Sequence, residues 1–207
     1  MEKSSVEPES NHLFDFPEAT FDIVAFAASA GGLNALMQVF SNLPADFRAT
    51  IVVVQHLHPK HRSLIANILN RRTPLQVKQA EVGDNLSPGR VYIAAPNYHL
   101  LVNSDRTLSL TQSELVHFVR PSADLLFDSV AASYQERAIA VVLSGTGNDG
   151  ATGVQTIKKM GGTVMVQDQE TAEFFGMPSA AIQTGDVDFI LPLTEISTAL
   201  ISLVMKI

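Results

Sequence analysis

The chain has 207 residues, of which 46% are apolar and 17% charged, a balance typical of folded globular proteins and unlike that of disordered ones. The absence of cysteine excludes a disulfide scaffold, a cysteine-ligated zinc site and a thiol nucleophile. The longest apolar runs, 23–28 and 138–143, are far shorter than the roughly 18 residues that a membrane span needs. We therefore expect one compact domain with no direct membrane insertion.

Charge is concentrated at the start of the chain. Residues 1–20 contain five acidic side chains and one lysine, the opposite of a signal peptide's basic start, and we expect an acidic, flexible tail followed by a folded domain at 21–207. This tail accounts for −4 of the formal net charge of −7. Lys and Arg are scattered along the remainder, so nucleic acid and anionic membranes are not expected as partners.

Runs rich in Val and Ile alternate with segments of helical period, which predicts an α/β fold with parallel strands joined by crossover helices. The runs lack polar–apolar alternation, as is typical of strands covered on both faces. We predict strands at 22–28, 50–55, 138–144, 162–168 and 187–192, and helices near 33–43, 62–71, 121–136, 150–160 and 193–206. Between 76 and 112, short extended runs follow one another without a helix, which predicts an antiparallel insertion at one edge.

A serine stands where the first predicted strand gives way to a helix, in the segment AASAGG at 27–32. Small neighbours let the chain turn sharply there, and the amides after Ser29 lie near a helix N-terminus, where they stabilise negative charge on oxygen. Such a turn presents the Ser29 hydroxyl as a nucleophile. The alternative is that Ser29 only caps the helix.

The second predicted strand ends at a histidine-rich segment. If consecutive strands are neighbours, His56 stands beside the end of the first strand and is a candidate general base for Ser29. The alternative is a loop histidine bonded to backbone. A metal site at His56, His58 and His61 is disfavoured because no Asp or Glu stands among them and no helical register aligns the rings.

The third junction reads SGTGNDG at 144–150 and contains G-x-G-x-x-G, with Asp168 at the end of the next strand. This pattern is typical of dinucleotide binding, which stays open as an alternative. Asp149 weakens it, because a carboxylate at the helix start repels a pyrophosphate. A carboxylate there is better suited to orienting His56, so that the ring takes a proton from a serine.

Candidate nucleophile, base and orienting acid thus follow three different predicted strands. The carboxyl ends of parallel strands meet at one edge of a sheet, which is where such sheets carry their active sites. We therefore predict that Ser29, His56 and Asp149 form a serine-hydrolase triad. Their chain order differs from the Ser, Asp, His order of α/β-hydrolases, so this is a separate solution of the same geometry.

At these residues the chain resembles the catalytic domain of the CheB family, the chemotaxis protein-glutamate methylesterases. The resemblance spans about 21–207 and implies a doubly wound, mainly parallel sheet with helices on both faces and an antiparallel edge hairpin. The segments that carry it are AASAGG (27–32), VVVQHLHP (52–59), AEVGDNLSPGRVYIAAPNYH (80–99), RPSADLLFDSV (120–130), LSGTGNDGATG (143–153) and FGMPSAA (175–181).

The resemblance implies a cytoplasmic enzyme without a cofactor. Its substrates would be glutamate methyl esters on the cytoplasmic helical region of chemoreceptors, with methanol as the leaving group, and receptor glutamines would be deamidated by the same acyl-enzyme route. The alternative is a non-catalytic module that binds a receptor or a nucleotide.

The family's functional residues map onto this chain one by one. Its nucleophile, base and orienting acid fall on Ser29, His56 and Asp149. The backbone amides of Ala30 and Thr146 are candidate oxyanion-hole donors, and Arg120 is a candidate for positioning the substrate, although a structural hydrogen bond explains an arginine there equally well. Met177 is expected in the core rather than in the cleft.

Two departures from the family pattern stand out. Ala27 replaces a glycine, which is tolerable if that residue is extended. About twenty residues precede the matching region, where the usual enzyme carries a phosphorylatable receiver domain that controls access to the site. No receiver domain can be built from them, so control by that route is not expected.

Overall fold

The protein is described here by a computed structural model that covers residues 21–56 and 63–205. The predicted acidic tail at 1–20 lies outside the described residues, as do His58 and His61 of the alternative metal site.

Within residues 21–56 and 63–205, nine strands and six α-helices form the domain. The strands are β1 (Ile23–Ala28), β2 (Thr50–Gln55), β3 (Gln76–Gln79), β4 (Arg90–Ile93), β5 (His99–Val102), β6 (Leu108–Thr111), β7 (Ala138–Val142), β8 (Thr163–Gln167) and β9 (Phe189–Leu191). The helices are α1 (Gly32–Ser41), α2 (Ile65–Asn70), α3 (Ala123–Tyr134), α4 (Ala151–Lys159), α5 (Gly176–Gln183) and α6 (Leu193–Met205).

Seven parallel strands make the central sheet in the order β3-β4-β2-β1-β7-β8-β9, and β5 and β6 form a separate antiparallel pair. The order runs outward in both directions from β1, which is the doubly wound arrangement that was predicted. All five predicted strands of the sheet are present. Helix α5 was not predicted, because its first turn contains glycine and proline, which favour turns in sequence patterns but are compatible with a helix start.

The predicted antiparallel insertion at 76–112 is only partly correct. Strands β3 and β4 pair in parallel and extend the main sheet beside β2, and only β5 and β6 are antiparallel. The segment between β3 and β4 returns the chain without a helix, so the usual sign of a parallel crossover is missing from the sequence. Val91, Tyr92 and Ile93 are almost fully buried, which explains why β4 lies inside the covered sheet.

Apolar side chains on the two faces of the sheet fill two separate cores. Every residue of β1 is buried, and alternate residues belong to different cores: Phe26 packs on the side of α1 and α6, whereas Ala25 and Ala27 pack on the side of α3 and α4. Phe26 meets Phe40 of α1 edge to face, with ring centroids 5.1 Å apart. Ala27 lies within β1 and is extended, so the family's glycine is not needed at this position.

Candidate active site

Ser29 lies at a turn that only small residues can form. It directly follows β1, and Gly31, with a φ of 74°, leads the chain into α1. A Cβ atom on Gly31 would lie 2.6 Å from Ser144 Oγ, so the turn has no space for a larger residue. Gly31 stands at the N-cap position and no side chain caps the helix, so Ser29 does not have the capping role that was the alternative.

Two polar side chains that the sequence patterns did not single out hold the backbone around Ser29. The amide group of Gln55 donates to the Ser29 carbonyl at 2.7 Å and to the His56 carbonyl at 3.1 Å. Ser144 accepts the Ser29 N–H at its carbonyl, at 3.0 Å, and donates its hydroxyl to the Ala30 carbonyl at 2.8 Å. Both are buried, so they fix the orientation of the turn.

The strand register places His56 beside Ser29. Ala28 pairs with Gln55, and the His56 amide donates to the Ala28 carbonyl at 2.9 Å. The next residues on the two strands, Ser29 and His56, are therefore neighbours at the carboxyl edge of the sheet. The imidazole Nε2 of His56 lies 2.8 Å from Asp149 Oδ2, which leaves Nδ1 as the ring nitrogen for a second partner.

The Ser29 hydroxyl itself makes no hydrogen bond to another described residue. A cavity of about 320 Å³ lies over Ser29, and one of about 150 Å³ lies beside His56. In hydrolases without substrate, the bond between nucleophile and base is often long or misaligned and tightens when the substrate binds.

Asp149 is 4% exposed and is held in place by four donors. Besides the His56 ring, these are the Ser122 hydroxyl at 2.8 Å and the backbone N–H groups of Ala123 at 2.6 Å and Asp124 at 3.2 Å. Burial opposes ionisation of Asp149, but the hydrogen bonds from His56, Ala123 and Ser122 outweigh it and hold the pKa of this carboxyl below its ordinary value. Asp149 is therefore a fixed carboxylate facing the imidazole.

Asp124 lies in the first turn of α3, and its carboxylate reaches the start of α4. Its Oδ1 accepts the N–H groups of Gly150 at 2.9 Å and of Gly153 at 2.8 Å. Burial raises the pKa of Asp124, and the nearby Asp149 carboxylate adds to this, while the N–H groups of Gly153 and Gly150 oppose it. His117 Nε2 lies 3.2 Å from Asp124 Oδ2, in ion-pair range but without hydrogen-bond alignment.

These contacts argue against the dinucleotide alternative. A pyrophosphate needs free N–H groups at the helix start, and at α4 the Asp124 carboxylate already takes them. Asp168, the acidic residue of that pattern, accepts the Thr171 N–H at 3.0 Å and the Thr171 hydroxyl at 2.6 Å, and so caps its own turn. Of the three glycines at 145–150, Gly145 serves close packing, whereas Gly147 and Gly150 have left-handed φ values of 86° and 100°.

His99 supports the site from behind and was missed by sequence reasoning. The ring is fully buried, accepts the Ser122 N–H at Nδ1, 3.1 Å away, and donates from Nε2 to the Glu114 carbonyl at 3.0 Å. Burial lowers the pKa of His99, so the neutral ring is favoured. The His99 ring fixes Ser122, whose hydroxyl donates to Asp149. In the sequence, His99 is distinguished only by its position after the segment APNY, and no acidic residue stands next to it.

The two candidate oxyanion donors have unused N–H groups. Within 21–56 and 63–205, neither the Ala30 amide nor the Thr146 amide donates to a protein acceptor. Gly145, which precedes Thr146, lies against the serine, since a Cβ on Gly145 would be 2.9 Å from Ser29 Cβ. Thr146 therefore adjoins the serine turn, where a donor to a developing oxyanion is required. Met177 is buried and contacts Gly145 from the core side.

Arg120 mainly holds a loop. Its Nε and Nη2 donate to Asn97 Oδ1 at 3.1 and 2.7 Å, and its Nη1 donates to the carbonyls of Gln112 at 2.9 Å and Ser113 at 2.6 Å. Four of about five N–H donors of the guanidinium are therefore occupied. Arg120 also lines the cavity beside His56, so it stays a candidate for positioning the substrate.

Neither a metal cluster nor a membrane span is found in the described part of the chain. No group of three His, Asp or Glu side chains among these residues has the arrangement of a metal site. Across the same residues, no helix combines the length and the apolar character needed to cross a bilayer.

Known proteins resemble this chain over most of its length. The family model for CheB methylesterase matches residues 24–200. A putative protein-glutamate methylesterase/protein-glutamine glutaminase of Leptospira interrogans is 39% identical over 183 residues, which cover 88% of this chain and 95% of that protein. The corresponding enzyme of Thermotoga maritima is 40% identical over 191 residues, 91% of this chain and 56% of that protein.

A solved structure shows the same fold. The crystal structure of the Thermotoga maritima CheB methylesterase catalytic domain superposes with a TM-score of 0.85 at 40% identity, covering 89% of this chain and 99% of that one. The chain spans about half the length of several curated relatives, among them the Thermotoga enzyme and its counterpart in Pyrococcus horikoshii, of which 50% is covered. The chain belongs to the CheB methylesterase family.

Proposed function

We propose that this protein is a serine esterase that hydrolyses glutamate methyl esters on chemoreceptors and deamidates receptor glutamines at the same site. One observation carries the proposal: His56 is hydrogen-bonded to the buried Asp149 carboxylate and stands in register beside Ser29. The names of its relatives, protein-glutamate methylesterase/protein-glutamine glutaminase, support the choice of substrate.

In the first half of the reaction, Ser29 Oγ attacks the carbonyl carbon of the ester while His56 takes the hydroxyl proton. The Asp149 carboxylate orients the ring and stabilises the imidazolium that forms. The amides of Ala30 and Thr146 donate to the oxyanion of the tetrahedral intermediate. When the intermediate collapses, the carbon–oxygen bond to the methoxy group breaks, and His56 returns its proton to the departing methanol.

In the second half, His56 takes a proton from water, and the hydroxide attacks the acyl carbon on Ser29. The bond between that carbon and Ser29 Oγ breaks, His56 reprotonates Ser29, and the glutamate carboxylate leaves. The balance is one ester and one water converted to one carboxylate, one methanol and one proton. A glutamine side chain follows the same route, with ammonia as the leaving group in place of methanol.

We place the substrate on the helical cytoplasmic region of the receptor and the enzyme in the cytoplasm. The support is the family's chemistry together with the open edge of the sheet, where the cavities beside Ser29 and His56 are found. A methylated glutamate is a long, flexible side chain on a helix surface, so it can reach this edge without unfolding the helix.

Active-site labelling tests the proposal. A fluorophosphonate reacts with a serine hydroxyl only when a base activates it. We expect labelling at Ser29 in the intact protein, mapped by peptide mass spectrometry, and none in Ser29→Ala. His56→Ala should lose most of the labelling although the serine is still present. Equal labelling of the intact protein and Ser29→Ala would contradict the assignment of the nucleophile.

A further inference from the structure

A two-residue turn beside the candidate active site has an unusual backbone. Val116 and Val119 exchange both of their backbone hydrogen bonds, at 3.2 and 2.9 Å, and His117 and Phe118 between them have φ values of 48° and 63°. This is the pattern of a type I′ turn, which normally carries asparagine or glycine at these positions. A bulky phenylalanine is disfavoured in the left-handed region.

Phe118 gains nothing from burial in this position. Its side chain is 94% exposed, and Leu115, three residues earlier, is 54% exposed. A buried phenylalanine stabilises a fold through the apolar area that it removes from water, whereas this one leaves nearly all of that area in solvent. The residue type is therefore unfavourable for the free chain both in backbone conformation and in hydration.

The base of the turn is nevertheless held firmly. Arg120, directly after the turn, makes four hydrogen bonds to Asn97, Gln112 and Ser113. His117 lies in ion-pair range of the buried Asp124 carboxylate. Phe118 therefore lies on a turn whose neighbouring residues are fixed by hydrogen bonds.

The turn stands at the mouth of the site. Phe118 and Leu115 line the same cavity as His56, together with Asn97 and Arg120. A protein segment that inserts a side chain into this cavity as far as His56 therefore contacts Phe118 with its surface. On a helix, residues three or four positions apart lie about 5–6 Å from one another, so an apolar neighbour of the reacting glutamate lies within reach of this ridge.

We propose that Phe118 and Leu115 form a docking ridge for an apolar side chain of the substrate helix, three or four residues from the glutamate that is hydrolysed. The inference rests on the proposed function and adds to it the surface that recognises the protein around the ester. The ridge holds the receptor helix and takes no part in the chemistry, because neither side chain carries a group that transfers a proton.

The test separates docking from chemistry by using a large protein substrate and a small covalent probe. Methanol release is measured with a methylated chemoreceptor cytoplasmic fragment, and labelling of Ser29 is measured with a small fluorophosphonate. For Phe118→Ala we expect KM for the receptor fragment to rise about tenfold, as for loss of an aromatic anchor, with kcat and the labelling rate unchanged. Phe189→Ala, at an exposed phenylalanine on the edge strand β9, should change neither value.

A second variant distinguishes docking from a structural role. Phe118→Asn suits the left-handed backbone and removes the apolar surface. We expect its Tm to rise while KM for the receptor fragment rises as in Phe118→Ala.

An unchanged KM in either variant would overturn the proposal, as would a parallel fall in the labelling rate. Loss of self-association in Phe118→Ala, measured by sedimentation, would also overturn it, because the ridge would then bind a second copy of the chain. Absence of labelling in the unaltered protein would instead contradict the proposed function.

Discussion

Asp124 and Asp149 cap each other's helices. The Asp149 carboxylate accepts backbone N–H groups at the start of α3, among them that of Asp124, and the Asp124 carboxylate accepts those of Gly150 and Gly153 at the start of α4. Each helix start thus fixes the acid of the other. Asp149, which is hydrogen-bonded to the His56 ring, is thus held by Asp124, a buried residue that makes no hydrogen bond to that ring.

Removing the partner should disturb both stability and turnover. Asp124→Ala leaves two buried N–H groups without an acceptor, and we expect the free energy of unfolding to fall by at least about 2 kcal/mol in urea titrations. The displaced Asp149 should lower kcat about 10²-fold. Asp124→Asn keeps an acceptor oxygen and should lose much less of both; equal losses in the two variants would contradict the capping role.

The charge of Asp149 can be removed with little change of shape. In Asp149→Asn the amide cannot accept from all four donors, so the His56 ring loses its orientation and the stabilisation of its protonated form. We expect kcat to fall about 10⁴-fold, as when the triad carboxylate of other serine hydrolases is neutralised. Asp168→Asn, at the carboxylate that caps its own turn, is the matched control and should retain full methanol release.

His99 should make stability depend on pH. Its folded pKa lies below its ordinary value of 6.5, so the unfolded chain takes up a proton at a higher pH than the folded one. The stability present above pH 6.5 is therefore lost as the pH falls from there toward the folded pKa. The raised pKa of Asp124 changes the stability in the opposite direction as the pH falls, and it acts equally in the unaltered protein and in a His99 variant.

The comparison uses His99→Asn, which can still accept the Ser122 N–H. Urea unfolding between pH 8 and pH 5 should give the variant a lower stability at pH 8 and a shallower decline below pH 6.5. Parallel curves for the two proteins would show that His99 is not the group responsible.

Gly145 is predicted to be essential because of its contacts rather than its backbone conformation. A Cβ there meets the side chains of Ser29 and Met177, so Gly145→Ala must displace one of them. We expect fluorophosphonate labelling of Ser29 to slow at least about 10²-fold, through misplacement of the hydroxyl. The double variant Gly145→Ala/Met177→Ala, which makes space on the core side, should recover part of that rate; no recovery would argue against steric displacement.

The sequence was most informative for candidate site residues that directly follow a predicted strand. Ser29 and His56 come immediately after runs of buried residues, so the parallel register alone puts them side by side. Gln55, Ser144 and His99 could not be assigned. Each binds a backbone carbonyl 15 or more positions away, at Ser29, Ala30 and Glu114, and these contacts depend on how the strands and helices pack.

The parallel pairing of β3 with β4 and the turn at Phe118 could not be predicted from the sequence, for two different reasons. A parallel strand pair joined without a helix gives no periodic signal between the strands. The left-handed backbone at Phe118 is imposed by the contacts around it, since phenylalanine disfavours that conformation.

The central claim is that one hydroxyl carries the acyl group, and methanol release from a methylated chemoreceptor fragment tests it most directly. The intact protein should release methanol and transiently bind the glutamyl group at Ser29. Ser29→Ala, with an unchanged Tm, should release it at least about 10⁴-fold more slowly. Methanol release by a folded Ser29→Ala protein at the rate of the intact protein would contradict the account.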